Sequence, residues 1–177
     1  AHPAFIDGSK LRKFDIVLAN PPYSIKTWNR EAFMNDKWGR NFLGTPPQGR
    51  ADYAFMQHII ASMNSDTGRC AILEEPDNDF LEPLEEVNDF VSLGDEEKEI
   101  RKNLILQDDI ECVIGLGPNL FYNSPMEACI IICNKNKTPE MKNRILMINA
   151  VHEVIRKNGE SLLLDKHIEK ISSTYHE

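Results

Sequence analysis

The chain has 177 residues, with 20 Lys and Arg against 28 Asp and Glu, a net charge of −8 and 41% hydrophobic residues. That length supports one domain with its own core, no apolar run is long enough to span a bilayer, and no secretory leader is evident. The net acidity argues against a self-sufficient nucleic-acid binder.

The acidity is local, because residues 74–99 hold twelve acids and one Lys, a net of −11, which leaves +3 on the remainder. Such a run reads as a solvated insertion, while the mildly basic remainder permits contact with phosphates. The first residue is Ala1 rather than Met, so the chain is expected to be a piece of something longer. Cys70, Cys112, Cys129 and Cys133 lie in apolar segments without a C-x-x-C pair. They read as buried free thiols of a reducing cytoplasm, and not as a zinc site.

In chain order, Ile16 to Ala19 reads as a short strand buried on both faces. It runs into Asn20-Pro21-Pro22-Tyr23. Two consecutive prolines remove two N–H donors and fix φ, so neither a helix nor a central strand continues through them. Residues 24–50 read as a long loop with a short helix, and loops of that length are commonly functional. Asp52 is placed to cap a helix whose apolar positions are Phe55, Met56, Ile59, Ile60 and Met63. Asp66-Thr67-Gly68 ends it, and Arg69 to Leu73 is the next strand. Beyond the acidic run, Glu96 to Gln107 is predicted as a helix with Ile100, Leu104 and Ile105 on one face. Strands are predicted at Ile110–Leu116, at Ala128–Cys133 and over Arg144–Ala150. A closing helix over about 164–176 would be capped by Asp165 and carry Leu164, Ile168, Ile171 and Tyr175 on one stripe. Alternating strands and helices imply a single domain built on an open α/β sheet with right-handed crossovers. Ligands of such sheets lie beyond the carboxyl ends of the strands, where Asn20 to Tyr23 would sit.

A rigid Asn-Pro-Pro-Tyr turn suits a planar target with an exocyclic amino group, such as adenine. The Asn20 side-chain oxygen and the Pro21 carbonyl can each accept one amino hydrogen, which turns the nitrogen lone pair towards an electrophile. Such acceptors act most strongly when already oriented in a water-poor pocket. Tyr23 offers a ring for stacking, which contributes about 1–3 kcal/mol per base. A base inside a duplex would have to be flipped out to reach the turn. Alternatively, Pro21-Pro22 merely terminates a strand and Tyr23 packs on the surface.

The combined motifs resemble the methylation subunit of type I restriction–modification systems, a family of adenine-N(6) DNA methyltransferases. The resemblance rests on "NPPYSIKTW", on "DKWGRNFLGTPPQGRADYAFMQHII", on "VIGLGPNLFYNSPMEACIIICNKNK", and on "ILMINA" and "LLLDKHIEKISSTY". It covers nearly all of the chain except the first dozen residues and the acidic run. It implies a doubly wound, Rossmann-like methyltransferase sheet, truncated on its N-terminal side. It also implies S-adenosylmethionine as cofactor, a flipped adenine in DNA as substrate, and specificity and restriction subunits as partners in the cytoplasm, with no membrane. Asn20, Pro21, Pro22 and Tyr23 would form the catalytic turn. Phe121, with Tyr122 as fallback, would approach the other face of the base, unless the loop aromatic is tucked into the core. His58 falls in a helix and reads as structural. Trp28 and Trp38 are expected to order the long loop.

Two departures qualify the resemblance. The family's glycine-rich cofactor motif precedes the Asn-Pro-Pro turn, yet Gly8 is the sole glycine before Asn20. Where the family follows "RCAIL" with a proline, a glycine and an apolar turn, this chain carries the acidic run. The expected function is therefore that of an adenine methyltransferase fragment, inactive or severely impaired when isolated. A non-catalytic docking remnant of such a subunit and a glutamine-amide methyltransferase of proteins are the alternatives.

Overall fold

The structure is a computed structural model that describes residues 2–74, 95–121, 126–157 and 159–176. A 3-10 turn over Pro3–Phe5 leads into a small hairpin, β1 (Ile6–Asp7) and β2 (Lys10–Leu11). The chain then forms β3 (Ile16–Ala19), α1 (Arg30–Met34), α2 (Asp52–Ala61) and β4 (Arg69–Glu74). Next come α3 (Asp95–Leu106), β5 (Ile110–Leu116), β6 (Ala128–Asn134) and β7 (Leu146–Ala150). A second hairpin, β8 (Ile155–Lys157) and β9 (Glu160–Leu162), precedes α4 (Asp165–His176). Most of the predicted acidic insertion, residues 75–94, lies outside the described residues.

Five strands form the main sheet in the order β3-β4-β6-β5-β7. β3 and β4 are parallel, as are β5 and β7, and β6 runs antiparallel between the two pairs. The predicted open α/β sheet is therefore mixed. β5 reaches β6 through a loop with no helix among its described residues, the kind of connection that returns a chain antiparallel to its neighbour. The carboxyl ends of β3, β4, β5 and β7 share one end of the sheet.

Strand alternation divides the apolar side chains between two faces. Cys70 and Ile72 of β4 and Cys129, Ile131 and Cys133 of β6 join Tyr53, Met56 and Ile60 of α2 and Ile100 and Leu104 of α3 in one core. Ile114 and Leu116 of β5 and Ile148 and Ala150 of β7 form the second, against which Ile171 and Tyr175 of α4 pack. Helices thus cover both faces. A register shift between Ile110 and Cys112 lets both Ile110 and Val113 face the first core, as expected for one extra residue in a strand. Burying a side chain such as Ile131, fully enclosed here, contributes about 2 kcal/mol. All four cysteines are buried free thiols.

The first strand departs from its prediction. β3 is an edge strand whose Val17 and Ala19 pack on the core, while Ile16 is 70% and Leu18 78% exposed. One face is therefore uncovered by any described residue. The helix caps also differ. Ala51, not Asp52, is the N-cap of α2, and at α4 the Leu164 N–H donates to Nδ1 of the buried His167 at 3.1 Å. Within the predicted α4 stripe, Leu164 and Ile168 are exposed.

Candidate functional site

Asn20 stands where β3 ends, at the carboxyl end of the sheet. Pro21 behind it is buried, Pro22 and Asn20 are exposed and Tyr23 is half-buried. The Tyr23 hydroxyl donates to Asn20 Oδ1 at 2.7 Å, which fixes ring and amide as one unit. A carbonyl oxygen has two lone pairs, so this bond leaves Asn20 Oδ1 a second position for an N–H donor. Immediately after it, Ser24 adopts φ +53°, a left-handed conformation uncommon for a residue with a side chain. The Ser24 N–H donates to Asp52 Oδ1 at 2.9 Å, so the first helical residue of α2 holds the exit of the turn.

Sequence reasoning missed this role of Asp52. The contact spans 28 residues, and the only local signal, an acidic residue at a helix start, pointed to capping.

The segment that follows is ordered by hydrogen bonds to fixed elements. Trp28 and Gln48 clasp one another: Trp28 Nε1 donates to the Gln48 carbonyl and Gln48 Nε2 to the Trp28 carbonyl, both at 2.9 Å. The Trp28 ring meets Phe33 edge-on at 5.7 Å between centroids. Gln57, fully buried on α2, accepts from the Leu43 N–H and donates to the Gly44 carbonyl, each at 2.8 Å. Arg30 pairs with Glu96 of α3 at 2.7 Å and donates through Nε to the Pro46 carbonyl. Trp38 lies under Lys37 Nζ, 4.5 Å from the ring centroid, and near the Arg40 guanidinium at 5.0 Å. Both tryptophans are thus engaged with the loop itself, as expected.

His58 packs its ring edge-on against Phe5 at 5.5 Å. Burial, and then the charge of Arg40, push its imidazole below the usual pKa. Its place on α2 against Phe5 is in keeping with a structural part. Phe121 is half-buried against the second core. It follows β5, three strand positions from β3, or roughly 14 Å at the usual strand spacing. Tyr122 lies outside the described residues.

The resemblance implies S-adenosylmethionine, and the residues can be tested against it. Gly8, the sole glycine before Asn20, forms the left-handed turn between β1 and β2 at φ +59°. It therefore lies in a hairpin and not between a strand end and a helix, where a glycine-rich phosphate or nucleoside cradle forms. Among the described residues no strand pairs with the outer edge of β3. These residues do not by themselves fit the cofactor.

Comparison with known proteins agrees with this architecture. A model of the N-6 DNA methylase family matches residues 2–177. The chain is 35% identical over 176 residues to the MjaVIII methylase subunit of a type I restriction enzyme from Methanocaldococcus jannaschii, covering 93% of this chain and 27% of that protein. It is 34% identical over 140 residues to the HindI methylase subunit of Haemophilus influenzae, covering 78% and 28%. Among solved structures, the methyltransferase subunit of a type I restriction–modification system from Streptococcus thermophilus superposes with a TM-score of 0.78 at 31% identity, over 99% of this chain and 34% of that one. The chain thus spans about a quarter to a third of the length of these relatives.

Proposed function

Since the chain belongs to the N-6 DNA methylase family, we propose that it forms the acceptor side of an adenine-N(6) DNA methyltransferase subunit of a type I restriction–modification system. Its fold is the α/β sheet of that family, with helices on both faces. One observation carries the reading. Asn20 presents its side-chain oxygen at a strand's carboxyl end, bonded to the hydroxyl of a half-buried Tyr23.

In this reading Asn20 Oδ1 and the Pro21 carbonyl each accept one hydrogen of the adenine amino group. That leaves the nitrogen lone pair directed away from the turn, towards the methyl donor. Pro22 keeps the two acceptors rigid, so little reorganisation is required as charge develops. Tyr23 stacks on the flipped base. Phe121 or Tyr122 closes on its other face. The proton leaves late, to water, because the methylated nitrogen is strongly acidic, and no side-chain base is assigned.

In this family the methyl group comes from S-adenosylmethionine. The described residues do not fit that cofactor alone, so the isolated chain is proposed to be inactive, and catalysis to need the rest of a longer subunit. Specificity and restriction subunits are the proposed partners. The relatives are themselves subunits of type I restriction enzymes or restriction–modification systems, which supports assembly with further subunits.

The test is Asn20→Ala in the full-length subunit assembled with its specificity subunit. Methylation of DNA is expected to fall by at least about a hundredfold, the scale of losing a preorganised charge-stabilising contact. Cofactor affinity is expected to stay within a few-fold. Turnover retained in the variant would remove Asn20 from the chemistry.

A further inference from the structure

At the opposite end of the sheet from Asn20 lies a cleft of about 540 Å³, within the usual size range of small-ligand sites. It is bounded by the β1–β2 hairpin and the segment leading to β3, by residues 37–42, and by the ends of α2, α3 and β6. Four lysines line it: Lys10, Lys13, Lys37 and Lys135. No acidic residue is among the described residues lining it, in a chain where acids outnumber bases by 28 to 20.

The lysines come from three separate stretches, Lys10 and Lys13 being three residues apart, so neighbouring sequence does not explain why Lys37 and Lys135 join them. Lys135 is paired with Asp109, and Lys13 Nζ donates to the Ala61 carbonyl at 2.5 Å. Lys10 and Lys37 carry no ion pair among the described contacts, and both are exposed. Burial, and then the charge of Lys135, hold the Lys13 ammonium below its usual pKa. Cations have therefore been drawn close enough to repel, and an anion between them would relieve the repulsion. Lysine ammonium groups bind phosphate as point charges.

Beside Ser9, Ser65 and Gln107, the wall carries an apolar and aromatic part that includes Trp38, Phe42 and Met63. Phe42 leaves 38% of its surface exposed, and Trp38 keeps its indole N–H buried with no acceptor among the described residues. Sulfate-sized anions need only the charges, whereas the apolar wall suits a ligand with a flat organic part. Aromatic faces stack on any base regardless of its sequence.

We propose that this cleft is a second binding site, for a nucleoside phosphate: the lysines hold the phosphate and the Phe42 side of the wall receives the base. It is separate from the Asn20 turn and independent of the function proposed for that turn. The phosphate can belong to a free mononucleotide or to a nucleotide of a single strand.

The test uses uridine 5′-monophosphate, whose base has no exocyclic amino group for Asn20 to recognise. It is titrated into the purified chain at low salt, with calorimetry and tryptophan fluorescence as readouts. One-to-one binding is expected, weakening as salt rises. Lys10→Ala with Lys37→Ala should weaken it by about tenfold or more, on the scale of losing charged hydrogen bonds. Phe42→Ala should weaken the nucleotide but not inorganic phosphate, and Tyr23→Ala should change neither. Binding confined to an oligothymidylate, and lost in the lysine variant, would identify the strand as the source of the phosphate. No binding of either probe at millimolar concentration would overturn the proposal. So would binding that survives the lysine substitutions, or that depends on Tyr23 instead.

Discussion

Tyr23 gives the turn two separable contributions, a ring and a hydroxyl. The hydroxyl donates to Asn20 Oδ1, so it positions the amide and leaves that oxygen's second lone pair for a substrate N–H. A partly exposed hydrogen bond of this kind contributes only about 1 kcal/mol. Stacking of the ring contributes roughly 1–3 kcal/mol per base. In the full-length subunit, Tyr23→Phe is expected to weaken binding of DNA carrying a flipped target adenine by less than about fivefold. Tyr23→Ala should weaken it by about tenfold or more. Equal losses, read by titration with a fluorescent base at the target, would transfer the main role to the hydroxyl. The position of this turn was legible in the sequence because two prolines must stop a strand. Its anchoring was not: Asp52 meets Ser24 only after the chain has travelled through α1 and back.

At the scale of elements, Glu111 of β5 gathers three strands and a helix. The Tyr175 hydroxyl of α4 and an Arg69 guanidinium nitrogen of β4 donate to its Oε2 at 2.5 and 2.6 Å. Asn134 of β6 donates to its Oε1 at 2.9 Å. Burial opposes ionisation of Glu111, but the hydrogen bonds of Tyr175 and Asn134, with the charge of Arg69, outweigh it and hold the carboxyl below its ordinary 4.5. Burial and then the Glu111 contact push the Tyr175 hydroxyl up to about 12. A depressed carboxyl stabilises the fold above its unfolded value and loses that contribution as pH falls through its folded one. Glu111→Gln should therefore be less stable than the parent near neutrality in urea titrations. The difference should shrink as pH drops below 4.5. A difference that stays constant down to about pH 3 would contradict the linkage. Strand and helix periodicity made most of these elements legible, including α3 and α4. It did not reveal the exposure of Ile16 and Leu18, because an unbroken Ile-Val-Leu-Ala run reads alike whether one face or two are covered. The two hairpins, with strands of two and three residues, are too short to carry a period.

Across the whole molecule, the two ends of the sheet differ in chemistry. One end carries the neutral Asn20–Tyr23 turn, for which we propose the role of accepting hydrogen bonds from an amino group. The other carries the lysine-lined cleft, although the chain as a whole is acidic. Sequence charge alone exposed the local acidic run but not the convergence of lysines, which depends on segments that meet only in the fold. The exposed face of β3 and its unpaired outer edge among the described residues are in keeping with the proposal that these residues form an acceptor side without a cradle for the donor. The most direct measurement of that account is identification of the methylated product. The full-length subunit, assembled with its specificity subunit, would be incubated with isotopically labelled S-adenosylmethionine, DNA and a glutamine-containing protein substrate, followed by mass spectrometry of nucleosides and peptides. Label is expected on the N6 nitrogen of adenine in DNA. Label on glutamine, or none on either substrate from an assembly that binds both cofactor and DNA, would contradict it.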